Sequence, residues 1–258
     1  MLQEVETPLC GSKKIDDYSR LWMENFDVQN AQKYHAKFGR PTKRYKHDVQ
    51  LAVVKKWVRP GICLDAPIGS GRVADSLQDR RDVKVVGIDL SPAFLQHCRG
   101  NLDIPLVLGD IHTLPFATSS VDTIVCLQTL FGLPRYRDII DEFMRILKKE
   151  GRLILNLPNA AYTNSRIFRV FRKNYPYSTP SNYNELPDIF SGHGTIVDYY
   201  KHDWADGIAS LHPVLNKVIQ RMLVWRSIQS WLIHLELNHK GLLPQWISAQ
   251  HLLVVERS

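Results

Sequence analysis

Cysteine is scarce in this chain. Its four residues, Cys10, Cys63, Cys98 and Cys126, form no Cys-X-X-Cys pair. That spacing argues against a thiolate metal site or a dithiol redox centre. Cys63 and Cys126 lie in apolar runs, where a free cysteine behaves as a small core residue. Unpaired core cysteines fit a reducing compartment, so a cytoplasmic location is expected. The ten histidines show no His-X-X-X-His spacing, and no metal site is expected. No stretch approaches the roughly 18 uninterrupted apolar residues of a membrane span. Met1 to Ser12 lacks a basic segment followed by an apolar run, so no signal peptide is expected. Low-complexity tracts and internal repeats are also missing. Glycine and proline, at 14 each, are at ordinary levels and do not indicate disorder. What is present is 44% hydrophobic content over 258 residues, enough for one large core with added segments.

Charge is uneven. The formal net charge is +7, from 33 Lys and Arg against 26 Asp and Glu. Between Lys33 and Arg59 nine basic residues face one acid, Asp48. Arg166, Arg169, Arg172 and Lys173 form a second cluster. These are either solvated helix faces or the surroundings of an anionic substrate or surface.

Residues 1–14 read as a loose arm. Aromatic-rich helices are expected over 16–38, with Tyr18, Trp22, Phe26, Tyr34 and Phe38. After Gly39-Arg40-Pro41, Thr42 is a candidate cap for a helix carrying Val49, Val53, Val54, Trp57 and Val58. Short apolar runs predict strands over 62–66, 83–88, 104–108, 121–127, 152–157, 195–200 and 250–256. Between the first five stand helix-like segments, including one opened by Ser91-Pro92 and one from Pro134 to Lys148, and a loop from His112 to Ser120. Strand and helix alternating over about 100 residues predict an α/β, doubly wound, mostly parallel seven-stranded sheet with helices on both faces. Residues 1–60 form an N-terminal helical lid in this reading. Residues 61–159 are the core, 160–212 an insertion and sixth strand, and 213–258 a C-terminal helix and final strand. A short helix is expected near 165–171, and one continuous apolar helix over 212–237.

Chemistry concentrates where the first strand ends. Cys63-Leu64-Asp65-Ala66-Pro67-Ile68-Gly69-Ser70-Gly71-Arg72 reads as strand, Gly-rich turn, helix. Such a turn lets a ligand approach backbone at the carboxyl end of a parallel strand. Asp65, Asp89 and Asp110 stand near three successive strand ends. Carboxylates facing one crevice repel unless donors bind them, so they point to a ligand rich in N–H and O–H groups.

Leu64 to Arg72, Val86-Gly87-Ile88-Asp89-Leu90-Ser91, Gly109-Asp110-Ile111, Leu114-Pro115-Phe116, Val121-Asp122 and Glu142 to Lys148 occur in this order and spacing. The pattern resembles class I S-adenosylmethionine-dependent methyltransferases, in particular the small-molecule branch that includes ubiquinone and menaquinone biosynthesis enzymes. It runs from about Ile62 to Asn159. The resemblance implies a Rossmann-like fold and S-adenosylmethionine as cofactor, with S-adenosylhomocysteine as product. It implies that Gly69 and Gly71 shape the turn around the methionine portion and that Asp65 orients its amino group. Asp89 would accept from both ribose hydroxyls and Asp110 from the adenine amine. Leu90 and Ile111 would pack beside the adenine, and Leu127 and Gln128 would line the methionine end. Two departures stand out: Pro67 replaces the first glycine of the turn, and Gln128 to Phe131 contains no histidine where many relatives have one.

The implied reaction is in-line displacement at the sulfonium methyl, with alignment of a nucleophile and removal of its proton. Candidate bases are His193, between two glycines, then His35 and His112. Tyr18, Tyr34, Tyr162 and Tyr183 either line a pocket or pack lid segments. The expected acceptor is a small molecule, anionic or lipid-linked, most readily methylated on oxygen, with nitrogen and carbon as alternatives. A nicotinamide dehydrogenase leaves Asp110 and the Leu114-Pro115-Phe116 loop without purpose. Nucleic acid is disfavoured because Asn156-Leu157-Pro158-Asn159 lacks the second proline and stacking ring of base methyltransferases. RNA or protein methylation and a non-catalytic partner subunit remain as other readings. The 212–237 segment, with Trp225, Trp231, Lys217, Arg221 and Arg226, is a core helix, a homodimer surface or a peripheral membrane contact.

Overall fold

The structure is a computed structural model that describes residues 36, 39–131, 133, 135–163, 181–209, 212–239, 244 and 247–258. Of the expected aromatic helices over 16–38 only residue 36 is described. His35, Tyr18, Tyr34, the second basic cluster and the helix expected near 165–171 lie outside the described residues.

The elements follow the apolar runs. They are α1 (Pro41–Trp57), β1 (Gly61–Asp65), α2 (Arg72–Ser76), β2 (Val83–Asp89), α3 (Pro92–Arg99), β3 (Leu106–Leu108) and β4 (Val121–Cys126). Then come α4 (Tyr136–Ile146), β5 (Leu147–Pro158), α5 (Ala160–Thr163), a 3-10 turn (Tyr183–Glu185) and α6 (Leu186–Ile189). The chain continues through β6 (Gly194–His202), α7 (Trp204–Ala209), α8 (Pro213–Val224), α9 (Arg226–Asn238) and β7 (Gln250–Arg257). The seven strands form one sheet in the order β3-β2-β1-β4-β5-β7-β6. Strands β1 to β5 pair in parallel, and β7 runs antiparallel between β5 and β6.

Alternation along the central strands feeds two cores, as the two-residue period of a strand requires. Cys63, Val125, Ile154 and Val254 pack with Val53 and Val54 of α1 on one face. Leu64, Ile124, Leu155 and Val255 pack with Ile139, Ile140 and Phe143 of α4 on the other. The described cysteines Cys63, Cys98 and Cys126 are all buried and free.

Several expectations are corrected. Thr42 does not cap α1: Arg40 stands at the N-cap without a side-chain bond, and Pro41 opens the helix. The Thr42 hydroxyl instead accepts from Gln220 Nε2 of α8 at 3.1 Å. The connection from β3 to β4 is the loop expected from His112 to Ser120. The Leu114–Phe116 loop is held from α4. Glu142 accepts the Leu114 N–H at 2.7 Å, and Arg145 donates to the carbonyls of Leu114 and Phe116 at 3.2 and 3.0 Å. This clamp is the physical content of the Glu142–Arg145 segment noted in the sequence. The apolar 212–237 segment is two helices, because Trp225 adopts extended backbone (φ −77°, ψ 111°) and interrupts the ladder. Ser91 does cap α3, accepting from the Phe94 N–H at 3.5 Å.

Candidate active site

The first strand ends in Asp65, and the backbone then turns tightly. Ala66–Pro67 is cis. Ala66 N–H bonds the Val125 carbonyl at 2.9 Å and Ile68 N–H that of Ile88 at 2.8 Å, so the turn is fastened to both neighbouring strands. Gly69 and Gly71 have φ of +51° and +77°, the left-handed region that glycine enters without strain. The two differ in surroundings. A Cβ on Gly71 would stand 2.6 Å from Leu102 Cδ1, so that glycine lets the turn pack onto the fold. A Cβ on Gly69 would meet nothing within 4 Å, so the backbone there faces open space.

Three acids line this end of the sheet. Asp65 is 3% exposed, yet its Oδ2 has no hydrogen-bond partner. Burial drives its carboxyl well above the usual range, opposed by the Arg72 charge and the Ala74 backbone and reinforced by Asp89. Ser70 Oγ, in the adjoining turn, is likewise buried and unpartnered. Asp89, the last residue of β2, accepts the Gly69 N–H on Oδ2 at 2.8 Å and the Ser91 N–H on Oδ1 at 2.9 Å. It therefore ties the Gly-rich turn to the start of α3, a task the sequence did not reveal. Burial raises its pKa to about 6, against the pull of those backbone donors. Leu90 follows, half-buried. Asp110 lies beyond β3 and accepts both the backbone N–H and the ring Nδ1 of His112, at 2.9 and 2.8 Å. Burial pushes Asp110 up, but the His112 hydrogen bonds and charge outweigh it, and the net shift is downward. Ile111 is buried in the α4-side core.

Beyond β4 the rim changes character. Leu127 is buried, and Gln128 stands at φ +63° with its N–H on Asn156 Oδ1 at 2.8 Å. Gln250 Oε1 accepts from Gln128 Nε2 at 2.9 Å and from Asn156 Nδ2 at 2.5 Å. Gln250 Nε2 donates to Asp203 Oδ2 at 2.9 Å, which also binds Lys46 Nζ at 2.8 Å. Gln128 to Lys46 is thus one chain of polar groups that joins β5, β7 and α1 with the segments following β4 and β6. Asn156, Gln250, Asp203 and Lys46 are all buried. A second buried group adjoins it: Glu236 accepts from Tyr45 and Trp204 at 2.6 and 3.1 Å and pairs with His202 Nδ1 at 2.9 Å. Sequence reading found none of these partnerships. Of the first chain Gln128 carried a signal as a residue expected to line the methionine end, and the Asn156 segment as a motif that departed from another family's.

The candidate bases separate. His193 immediately precedes β6, and β6 is parallel to β5 because both run opposite to β7. Gly194 pairs with Arg257, while His202 pairs with Gln250 at the crevice end. His193 therefore sits at the amino edge of the sheet, opposite Asp65, Asp89 and Asp110. There its Nε2 approaches Asp141 Oδ1 at 3.3 Å. The physical reason is topological: the chain must return to the amino edge before it can enter a strand parallel to β5. His112 is engaged by Asp110 at the β3 side, with β2 and β1 between it and β4. Tyr162 is buried and Tyr183 half exposed.

The donor-poor, acceptor-rich pocket wall fits S-adenosylmethionine. An orphaned carboxylate oxygen, an orphaned hydroxyl and an open glycine face wait at the carboxyl end of β1, and acids stand at the ends of β2 and β3.

Comparison with known proteins agrees with this geometry. The family described as "Methyltransferase domain" matches residues 64–155. A demethylmenaquinone methyltransferase of Thermotoga maritima is 33% identical over 160 residues, covering 59% of this chain and 66% of that protein. A malonyl-[acyl-carrier protein] O-methyltransferase of Xylella fastidiosa is 31% identical over 106 residues, 38% of this chain and 35% of that one. The chain thus spans less than two thirds of the length of either relative. Among solved structures, a chain of the complex containing the Haloferax volcanii Trm112 methyltransferase activator superposes with a TM-score of 0.60. It covers 94% of this chain and 98% of that one, at 17% identity, and shows the shared fold. Strand order, Gly-rich turn, strand-end acids and the matched segment converge: residues 64–155 carry a methyltransferase domain.

Proposed function

We propose that the chain transfers the methyl group of S-adenosylmethionine to an oxygen of a small acceptor, of the hydroxylated aromatic, quinone-like, glycan or lipid-linked class. The observation that carries the reading is the buried, unpartnered Asp65 oxygen at the root of a turn whose Gly69 face is open. When bound, the cofactor supplies an already activated sulfonium methyl. The chain's own residues then hold and aim. Asp65 accepts from the amino group. Asp89, fixed by two backbone donors, keeps lone pairs for the ribose hydroxyls. Asp110, kept ionised by His112, accepts from the adenine amine. Leu90 and Ile111 wall the adenine, and Leu127 and Gln128 line the methionine end, where the Gln250 and Asn156 bonds fix the Gln128 carboxamide. Such fixed alignment is the main contribution a protein makes to a bimolecular displacement. His112 acts through Asp110 in this assignment, and His193 has no part in it.

The demethylmenaquinone and malonyl-[acyl-carrier protein] in the relatives' names, together with the basic 33–59 segment, support an acceptor that is anionic or lipid-linked. Calorimetric titration with S-adenosylhomocysteine tests the cofactor half. Saturable binding by the wild type, weakened in Asp65→Asn, is expected. A folded wild type that binds neither S-adenosylmethionine nor its product would sink the assignment and leave a non-catalytic partner role. Transfer of labelled methyl to quinols, hydroxylated aromatics and acyl thioesters then selects the acceptor.

A further inference from the structure

The outward face of α8 is used by nothing described so far. Val214, Lys217, Val218, Arg221 and Val224 recur at three- and four-residue spacing and so share one side of the helix. Val214, Val218 and Val224 are 59%, 57% and 59% exposed, and Trp225 and Trp231 are 67% and 60% exposed. The opposite side, Ile219 and Leu223, packs against Tyr45 and Val49 of α1. The helix is therefore apolar on both sides, and only one of them is explained by the core. A single exposed valine is ordinary; six large apolar side chains exposed between residues 214 and 231, with Leu215 at 41%, are a concentration the core does not explain.

Charge identifies what the patch meets. Lys217, Arg221 and Arg226 are exposed, and the one acid on α8 and α9, Glu236, is buried against Tyr45 and His202. Arg226 shares its field with Asp48 of α1, which leaves Lys217 and Arg221 as the outward cations. A second copy docked about a two-fold axis would set these cations against their own equivalents. An anionic surface would neutralise them, with the valines entering the acyl boundary and the indoles resting at headgroup level.

We infer that the α8 face, with Trp225 and Trp231, docks on a bilayer bearing anionic headgroups. The patch is coupled to the crevice through α1. Gln220 bonds Thr42 at 3.1 Å, and Arg44 donates to the Leu223 carbonyl at 3.3 Å. Two residues further on, Lys46 joins the rim network. The helix that carries Lys46 thus lies directly behind the docking face; its use in receiving a lipid-linked acceptor rests on the proposed methyl transfer, whereas docking itself does not.

Co-sedimentation of the full chain with vesicles tests it, using phosphatidylglycerol mixed with phosphatidylcholine against phosphatidylcholine alone. Pelleting with the anionic vesicles and its weakening by salt are expected. Lys217→Ala/Arg221→Ala should lower the partition coefficient roughly fivefold per cation. Trp225→Ser should lower it on the order of tenfold. Both variants alter exposed side chains and should keep the wild-type melting temperature. No pelleting, or equal pelleting with neutral vesicles, would overturn the inference. So would a vesicle-free dimer in sedimentation velocity that Val218→Glu separates, which would make the face a homodimer surface. Pelleting retained without S-adenosylhomocysteine binding would remove the methyl-transfer reading alone.

Discussion

At the β1–β3 side of the carboxyl rim, buried polar groups are left wanting. Asp65 keeps an oxygen without a donor, and Ser70 a hydroxyl without a partner. At the β4–β6 side most of the demand is met within the chain, although Asp203 Oδ1 and His202 Nε2 have no hydrogen-bond partner among the described residues. Gln128, Asn156, Gln250, Asp203 and Lys46 bond one another in sequence, and the ion pair at the end is buried. Both sides place charge where water is scarce, which costs free energy unless donors compensate. One side finds most of its compensation within the chain; for the other the proposed cofactor would supply it. The difference separates a wall largely finished by the fold from one that the proposed cofactor would complete, within a single rim.

The comparison can be broken from either side. The largest effect is expected at the finished wall. Lys46→Met strands Asp203 and should lower unfolding free energy by about 3–5 kcal/mol. In urea denaturation, Lys46→Met/Asp203→Leu should recover most of that loss; a single variant as stable as wild type would show that the pair is not structural. At the unfinished wall stability and binding should part. Asp65→Asn removes a buried acid, so its melting temperature should not fall. Its affinity for S-adenosylhomocysteine should drop by about 1.5–3 kcal/mol. A variant that loses both would place Asp65 with the structural residues.

Next comes pH. Ionised Asp89 is the form that accepts from hydroxyls, and its pKa is about 6. Cofactor affinity should be level above that pH and fall as pH drops through it, with a flatter profile in Asp89→Asn. Stability runs the other way. The folded pKa of Asp89 lies above the ordinary 3.8, so its contribution is fully present below 3.8 and is lost as pH rises through about 6. The smallest effect belongs to His193→Ala. Its contact with Asp141 is half exposed and at the far edge of the sheet, so stability should change by less than about 0.5 kcal/mol. Methyl transfer and cofactor affinity should be unchanged. A slowed rate would contradict the sheet topology described here.

The two sides also differ in how far they could be read from sequence. Asp65, Gly69, Gly71, Asp89 and Asp110 each sit in a short local pattern of strand, turn and helix start, so the chain announces them one by one. The finished wall has no such pattern beyond Gln128, which its place after the fourth strand marked. Lys46 and Gln250 are 204 positions apart in the chain (250 minus 46), and only the antiparallel entry of β7 brings them together. His193 misled for a related reason: glycines on both sides mark a turn but not the edge of the sheet on which it lies. The clamp formed by Glu142 and Arg145 was visible as a motif, and its purpose, holding the Leu114–Phe116 loop in place of a helix, needed the packed structure. The break at Trp225 had no signal, since neither glycine nor proline stands there.

The position of β7 also bears on biosynthesis. The strand between β5 and β6 is the last of the seven to be translated. Until residues 250–257 leave the ribosome, β5 and β6 cannot be joined in one sheet, and each carries an open edge of the kind that invites pairing with other chains. Asn156 and Asp203 meanwhile lack the carboxamide of Gln250 that links them. The parallel strands β1 to β5 can pair as they are made, but β6 joins the sheet as a late step, after synthesis of the strand that links it.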